Sequence, residues 1–146
     1  MRKIPTPPGP LRTRMAHMFA ALVHGYVDEW SEDVTWDTWK AFSVALDPAT
    51  PLTPDSFRAC IMAPEKRTVR FGDFGAYFDY INDPQAGFDE GTKTTYAILR
   101  ATMASTLTDL TTITVGEDQL INVKNFIVGR LADGSVVGIR AIAVET

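Results

Sequence analysis

The sequence has few of the residues that enzymes use for nucleophilic or metal chemistry. Among its 146 residues there are one cysteine, Cys60, and two histidines, His17 and His24. A single cysteine cannot form an internal disulfide, and we interpret Cys60 as a small buried apolar group. The two histidines are seven residues apart on a predicted helix, so about two turns separate them and polar helix positions are the simpler interpretation.

Motifs of known catalytic and nucleotide-binding sites are also missing. The sequence contains no Gly-x-Ser-x-Gly nucleophile motif, no Walker loop and no dinucleotide-binding glycine motif. The paired carboxylates that it does contain are typical of a solvated surface. The sequence therefore predicts a protein that is not an enzyme and that holds no cofactor and no metal of its own.

Long apolar runs and an excess of positive charge are absent as well. No run of about 20 apolar residues occurs, which predicts that no helix spans a membrane. The net charge of −4 argues against direct binding of nucleic acid or of a membrane surface. We expect a cytoplasmic monomer.

The spacing of apolar and turn residues predicts an α+β protein. Residues 1–10 are a Pro-rich arm, and residues 11–146 are expected to form a single domain. Apolar positions from Leu11 to Trp30 predict an amphipathic helix, and period-two spacing predicts three late strands, over 113–115, 121–128 and 136–144. Asp133-Gly134 is a hairpin signal, and three residues are predicted helix N-caps: Thr53, Asp73 and Asp89.

An acidic segment, residues 28–37, follows the first predicted helix. It holds five carboxylates and no basic residue, and the three tryptophans of the chain lie in it or next to it, at Trp30, Trp36 and Trp39. Such a segment is either a solvated face or a surface that complements a basic partner. The tryptophans are likewise either core residues or interface residues. The sequence leaves both questions open.

The last predicted strand runs almost to the final residues, Glu145 and Thr146. Most chains end in a few loose residues, whereas here an apolar run leads directly to the end. A terminus held in this way presents a hydroxyl and two carboxylates at one fixed place. That set of oxygen atoms is suited to reaching a metal site of another protein.

Several segments together resemble the nuclease A inhibitor family. They are Val115-Gly116-Glu117, Phe126-Ile127-Val128-Gly129, Ala132-Asp133-Gly134, Val137-Gly138-Ile139 and the ending Val144-Glu145-Thr146. Upstream, Ser31-Glu32-Asp33, the stretch 71–78 and Asp83-Pro84-Gln85 with Phe88 resemble the family more weakly. The chain departs from the family pattern at Arg140 and Ala141, where Ser and Thr are usual, and at Phe88, where the family has a nearby tryptophan.

This resemblance implies a three-layer α/β/α sandwich with a mainly antiparallel sheet, similar to the pathogenesis-related class 1 fold. It also implies an inhibitor that blocks the active site of a Mg²⁺-dependent, sugar-non-specific DNA/RNA endonuclease. Carried over by motif, the partner-binding residues are Thr146, Glu145, Glu32, Gln85 and Phe88, with Thr146 approaching the partner's Mg²⁺. The alternative is a small binding or adaptor domain of the same fold that does not inhibit.

Overall fold

The computed structural model describes residues 10–26, 34–35, 38–116 and 122–145. Within these residues four helices and six strands follow one another, with a 3₁₀ turn, Pro84–Ala86, before the last helix. Their bounds are α1 Leu11–Leu22, β1 Val34–Thr35, β2 Lys40–Val44, α2 Pro54–Cys60, β3 Thr68–Gly72, α3 Phe74–Asn82, α4 Glu90–Thr106, β4 Thr108–Gly116, β5 Asn122–Arg130 and β6 Val136–Glu145. The fold is α+β, as the sequence predicted.

Every strand pairing in the sheet is antiparallel, and the strands follow in the order β3-β4-β5-β6. Two strands share the outer edge of β6: β2 pairs with residues 136–140 of β6, and β1 pairs with residues 144–145. The sheet is therefore five strands wide although it contains six. The last strand of the chain lies inside the sheet, because strands from both sides pair with it.

Short polar motifs begin the helices where the sequence predicted them. At α2 the hydroxyl of Thr53 accepts a bond from the backbone N–H of Ser56 (3.1 Å), and the hydroxyl of Ser56 accepts one from the N–H of Thr53 (2.8 Å), which is a capping box. Asp73 and Asp89 accept bonds in the same way, from Ala76 (3.0 Å) and Thr92 (2.7 Å). All three predicted N-caps are thus confirmed.

Four expectations on local structure need correction. Helix α1 ends at Leu22, well before Trp30, because the chain turns through Gly25, whose φ of +85° is incompatible with a continuing helix. Strand β4 begins at Thr108, five residues before the expected start at residue 113, and strand β5 extends two residues further than expected, to Arg130. Cys60 is half-buried rather than buried, and the part that is buried raises the pKa of its thiol.

Two apolar clusters lie on opposite faces of the sheet, as the alternation along β5 shows: Ile127 belongs to the first cluster, and its neighbours Phe126 and Val128 belong to the second. The first cluster also takes residues from α1, α3 and α4, and the second takes Phe57 from α2. The three-layer arrangement, the likeness to the pathogenesis-related class 1 fold and the division into arm and domain stay predictions. Residues 1–9 lie outside the described residues.

Candidate functional site

The candidate site is the end of the sheet at which β6 terminates, called the β6 end here. There Val144 pairs with Thr35 of β1 on one side and with Asn122 of β5 on the other, and Glu145 pairs with Val34. The backbone of Glu145 is thus part of the sheet. Thr146 and Glu32 lie outside the described residues, but each is within two residues of the pair formed by Val34 and Glu145.

Three aromatic residues hold together two chain positions that flank the acidic segment in the sequence. The indole Nε1–H of Trp39 donates to the hydroxyl of Tyr96 on α4 (2.8 Å), and both side chains are buried. The backbone N–H of Trp39 donates to the carbonyl of Tyr26 (3.4 Å), whose ring meets that of Tyr96 edge-on at 6.0 Å between centroids. Tyr26 and Trp39 flank the acidic segment in the sequence, so this cluster fixes the positions of the described residues on either side of it. Trp39 is a core residue, and Trp30 and Trp36 lie outside the described residues.

The loop that carries Gln85 and Phe88 is ordered by two carboxylates. Asp83 accepts a bond from the backbone N–H of Gln85 (2.9 Å), and Asp89 caps α4. The bonds from the N–H and the hydroxyl of Thr92 hold the pKa of Asp89 below its usual value. Gln85 is exposed, whereas Phe88 is half-buried and meets the ring of Tyr80 edge-on at 5.7 Å.

The direction of α4 places this loop at the β6 end. Helix α4 leads into β4, whose first residue Thr108 pairs with Arg130, and Arg130 pairs with Val136 at the opposite end of β6. The N-terminus of α4 is about 24 Å from its C-terminus, at 1.5 Å per residue. Because Tyr96 near that N-terminus bonds Trp39, the helix runs along the sheet towards the β6 end. Gln85 and Glu145, predicted from separate motifs, are therefore at the same end of the molecule.

The bond between Trp39 and Tyr96 was not predicted from the sequence, and it can be tested by removing one hydroxyl. Tyr96→Phe leaves the buried indole N–H without its acceptor, which is expected to lower the free energy of unfolding by about 1–3 kcal/mol. Urea unfolding measures this loss. Tyr80→Phe is the matched control: Tyr80 is 45% exposed, and its change is expected to stay within about 0.5 kcal/mol. Equal effects of the two substitutions would contradict the role of the bond.

The described residues offer little for catalysis. Within them no group of three or more His, Cys, Asp or Glu side chains is arranged to hold a metal ion. His17 and His24 are both exposed, and the pKa of the Cys60 thiol is raised, which disfavours the reactive thiolate. None of the described helices is both long and apolar enough to cross a bilayer.

These features define a class of protein: a small α+β domain whose candidate site consists of a strand end, an acidic segment and a loop. Residues 31–146 match the family model described as nuclease A inhibitor-like protein. The match covers most of the chain, so the protein belongs to this family, as the resemblance predicted. None of the curated proteins matches the chain. Membership of an inhibitor family suggests that the protein is not an enzyme and that its partner is a nuclease.

Proposed function

We propose that the protein binds and blocks the active site of a Mg²⁺-dependent, sugar-non-specific endonuclease. In this proposal Thr146 enters the active site and the acidic segment around Glu32 lies against the substrate cleft. The observation that carries the proposal is the pairing of Val34 with Glu145. It joins Val34, which directly follows the segment 31–33 in the sequence, to Glu145, which directly precedes Thr146 and is more than 100 residues later.

Covalent geometry sets an upper limit to the distance between Glu32 and Thr146. Consecutive Cα atoms are 3.8 Å apart, and Cα atoms of paired antiparallel residues are about 5 Å apart. Glu32 is two residues before Val34, and Thr146 follows Glu145, so the Cα atoms of Glu32 and Thr146 are at most about 17 Å apart. A standard interface of about 800 Å² per partner is roughly 30 Å across. One partner surface can therefore contact both residues.

The chemistry of the two groups is complementary to a nuclease active site. Mg²⁺ binds oxygen ligands and retains part of its water shell, so the hydroxyl and carboxylate of a terminal threonine can take the place of a phosphate. A substrate cleft that binds phosphates is positively charged. A segment with five carboxylates would speed association with such a cleft through long-range attraction. These properties support a plug at the active site surrounded by an acidic contact surface.

The loop with Gln85 and Phe88 is proposed as a second contact at the same end. Gln85 is exposed, and its amide can both donate and accept hydrogen bonds to a partner. Phe88 packs partly on the first apolar cluster, so it offers a partner only one side of its ring. In this proposal Phe88 mainly fixes the loop, and Gln85 makes the polar contact.

Nuclease inhibition is the direct test. The protein, with nothing added after Thr146, is mixed with a purified sugar-non-specific ββα-metal nuclease in Mg²⁺ buffer, and cleavage of duplex DNA and of RNA is followed. Stoichiometric loss of both activities supports the proposal. Binding to the nuclease without inhibition would favour the alternative of an adaptor domain. The departures from the family pattern at Arg140, Ala141 and Phe88 support that alternative.

Reversing one charge in the acidic segment tests its part in association. Glu32→Lys is expected to lower the association rate constant and its sensitivity to salt, because long-range attraction to the basic cleft decreases. Stopped-flow or surface plasmon resonance measures the rate, and thermal melting checks that stability changes by no more than about 0.5 kcal/mol. Asp55→Lys, an exposed carboxylate in the first turn of α2, is the control. An unchanged rate together with a large loss of stability would make Glu32 a structural residue.

A further inference from the structure

Two basic side chains lie side by side near the β6 end, on the face of the sheet that carries the second apolar cluster. In the register, Phe126 is opposite Arg140 and Lys124 is opposite Ile142, so Lys124 and Arg140 are diagonal neighbours. Such pairs are roughly 7–8 Å apart, within reach of one another's long side chains. Both point to the face of the second apolar cluster, since Phe126 belongs to it. We call Lys124 and Arg140 the basic pair.

The charge of the basic pair is available to a partner. Lys124 is exposed and Arg140 is half-buried. Among the described residues, neither forms an ion pair with a carboxylate; the ion pairs found there join Lys93 to Glu90 and Arg100 to Asp79. Neighbouring like charges repel, and this repulsion decreases when an anionic group of a partner binds between them.

The distance of the basic pair from Glu145 places it at the margin of the proposed interface. A strand rises about 3.3 Å per residue, so the position of Ile142, opposite Lys124, is about 10 Å from Glu145 and Arg140 is about 17 Å away. A standard interface extends roughly 16 Å from its centre. In an interface centred on Glu145, Lys124 would therefore lie inside the outer boundary, and Arg140 would lie at that boundary.

We propose that the basic pair binds carboxylates on the protein surface that surrounds the active-site cleft of the partner nuclease. This inference rests on the proposed function and adds a second, oppositely charged contact to it. The acidic segment meets the positive cleft, and the basic pair meets an acidic rim. Such a pattern fixes orientation, because turning the inhibitor around its plug would bring like charges together. Nucleic acid is the less favoured occupant, since the chain has a net charge of −4 and a pI near 5.1.

The test is to reverse the two charges and measure association with the nuclease. Lys124→Glu, Arg140→Glu and the double variant are compared with the unaltered protein by surface plasmon resonance, using a catalytically inactive ββα-metal nuclease in Mg²⁺. At about 50 mM salt each single change is expected to lower the association rate constant about 3-fold and the double change about 10-fold. At about 0.5 M salt the differences should fall below about 2-fold.

A matched control separates a local contact from a general effect of charge. Arg70→Glu makes the same change at an exposed strand residue, but Arg70 alternates with Val69 and Phe71 of the second cluster and so points to the other face. Its association rate should stay within about 2-fold of the unaltered protein. Melting curves establish that each variant is folded. If the double variant does not fold, the association rate constant of the Lys124→Glu variant, whose changed residue is exposed, is used to test the proposal.

Three other results would overturn the proposal for the basic pair. If the unaltered protein binds the nuclease and the reversals leave association unchanged or make it faster, the basic pair faces no acidic rim, while the proposed function stands. If the unaltered protein does not bind, both proposals fail. If it binds duplex DNA in the absence of nuclease and the reversals abolish that binding, the occupant of the basic pair is nucleic acid.

Discussion

A short tag added after Thr146 is expected to abolish inhibition of the nuclease and to leave the protein folded. In the proposed complex the terminal hydroxyl and carboxylate lie next to the hydrated Mg²⁺. Any added residue would displace both groups and would have no room within a closed active site. The fold should persist, because the strand pairs that hold β6 end at Glu145. Inhibition assays and melting curves on the tagged protein measure the two effects separately.

Two further proteins make this experiment decisive. The same tag placed before Met1 should leave inhibition intact, which controls for the tag itself. Thr146→Val keeps the shape and the terminal carboxylate and removes only the hydroxyl, so it should weaken binding by about 1–3 kcal/mol, or roughly 5- to 150-fold in Kd. Full inhibition by the protein with the C-terminal tag would refute the plug at the active site, and binding without inhibition by the untagged protein would favour the adaptor hypothesis.

Gly138→Val is expected to prevent folding or to lower the free energy of unfolding by more than about 4 kcal/mol. Gly138 lies in β6, between Val128 of β5 and Phe42 of β2. A Cβ atom at this position would collide with the backbone carbonyl oxygen of Ile127 and would lie 2.8 Å from the Cα atom of Val128. Backbone atoms of an interior strand cannot move aside without breaking the sheet. Urea unfolding of purified protein, or its yield in the soluble fraction, measures the loss.

A second glycine substitution controls for the change of residue type. Gly91→Ala in the first turn of α4 would place its Cβ 3.4 Å from a carboxylate oxygen of Asp89, which is ordinary contact. This change should be neutral or raise stability by up to about 1 kcal/mol, because alanine reduces the freedom of the unfolded chain. If Gly138→Val unfolded at the same urea concentration as Gly91→Ala, the close approach of β5 and β6 would be disproved.

Local features of the fold could be predicted because their causes lie within a few residues. The caps at Thr53, Asp73 and Asp89 each depend on a bond to a backbone N–H three residues later. The turn at Asp133-Gly134 likewise depends on Ser135, whose N–H bonds the carboxylate of Asp133 at 2.9 Å. The meander of β4, β5 and β6 follows from period-two spacing and short connections.

Long-range features had no such local signal. The bond between Trp39 and Tyr96 joins residues 57 apart, and the pairing of Val34 with Glu145 joins residues still further apart. Apolar spacing also predicted α1 too long, because it counted Tyr26 as a helix position, whereas Tyr26 follows the turn at 23–25 and packs against Tyr96. Motif resemblance predicted which residues make up the candidate site. That Gln85 and Glu145 share one end of the sheet became evident only from the course of α4.

The interior position of β6 has a consequence for the newly made chain. Strands β1 and β2 emerge early during synthesis, but their partner β6 follows about 100 residues later, which takes on the order of 5–20 s at 5–20 residues per second. During that time their hydrogen-bonding edges stay unpaired, and exposed edges invite aggregation. A chain cut short before β6 leaves β1 and β2 without a partner and should be cleared by proteases. Because β6 also carries Glu145, we expect the chains that survive to be those that have the proposed inhibitory end.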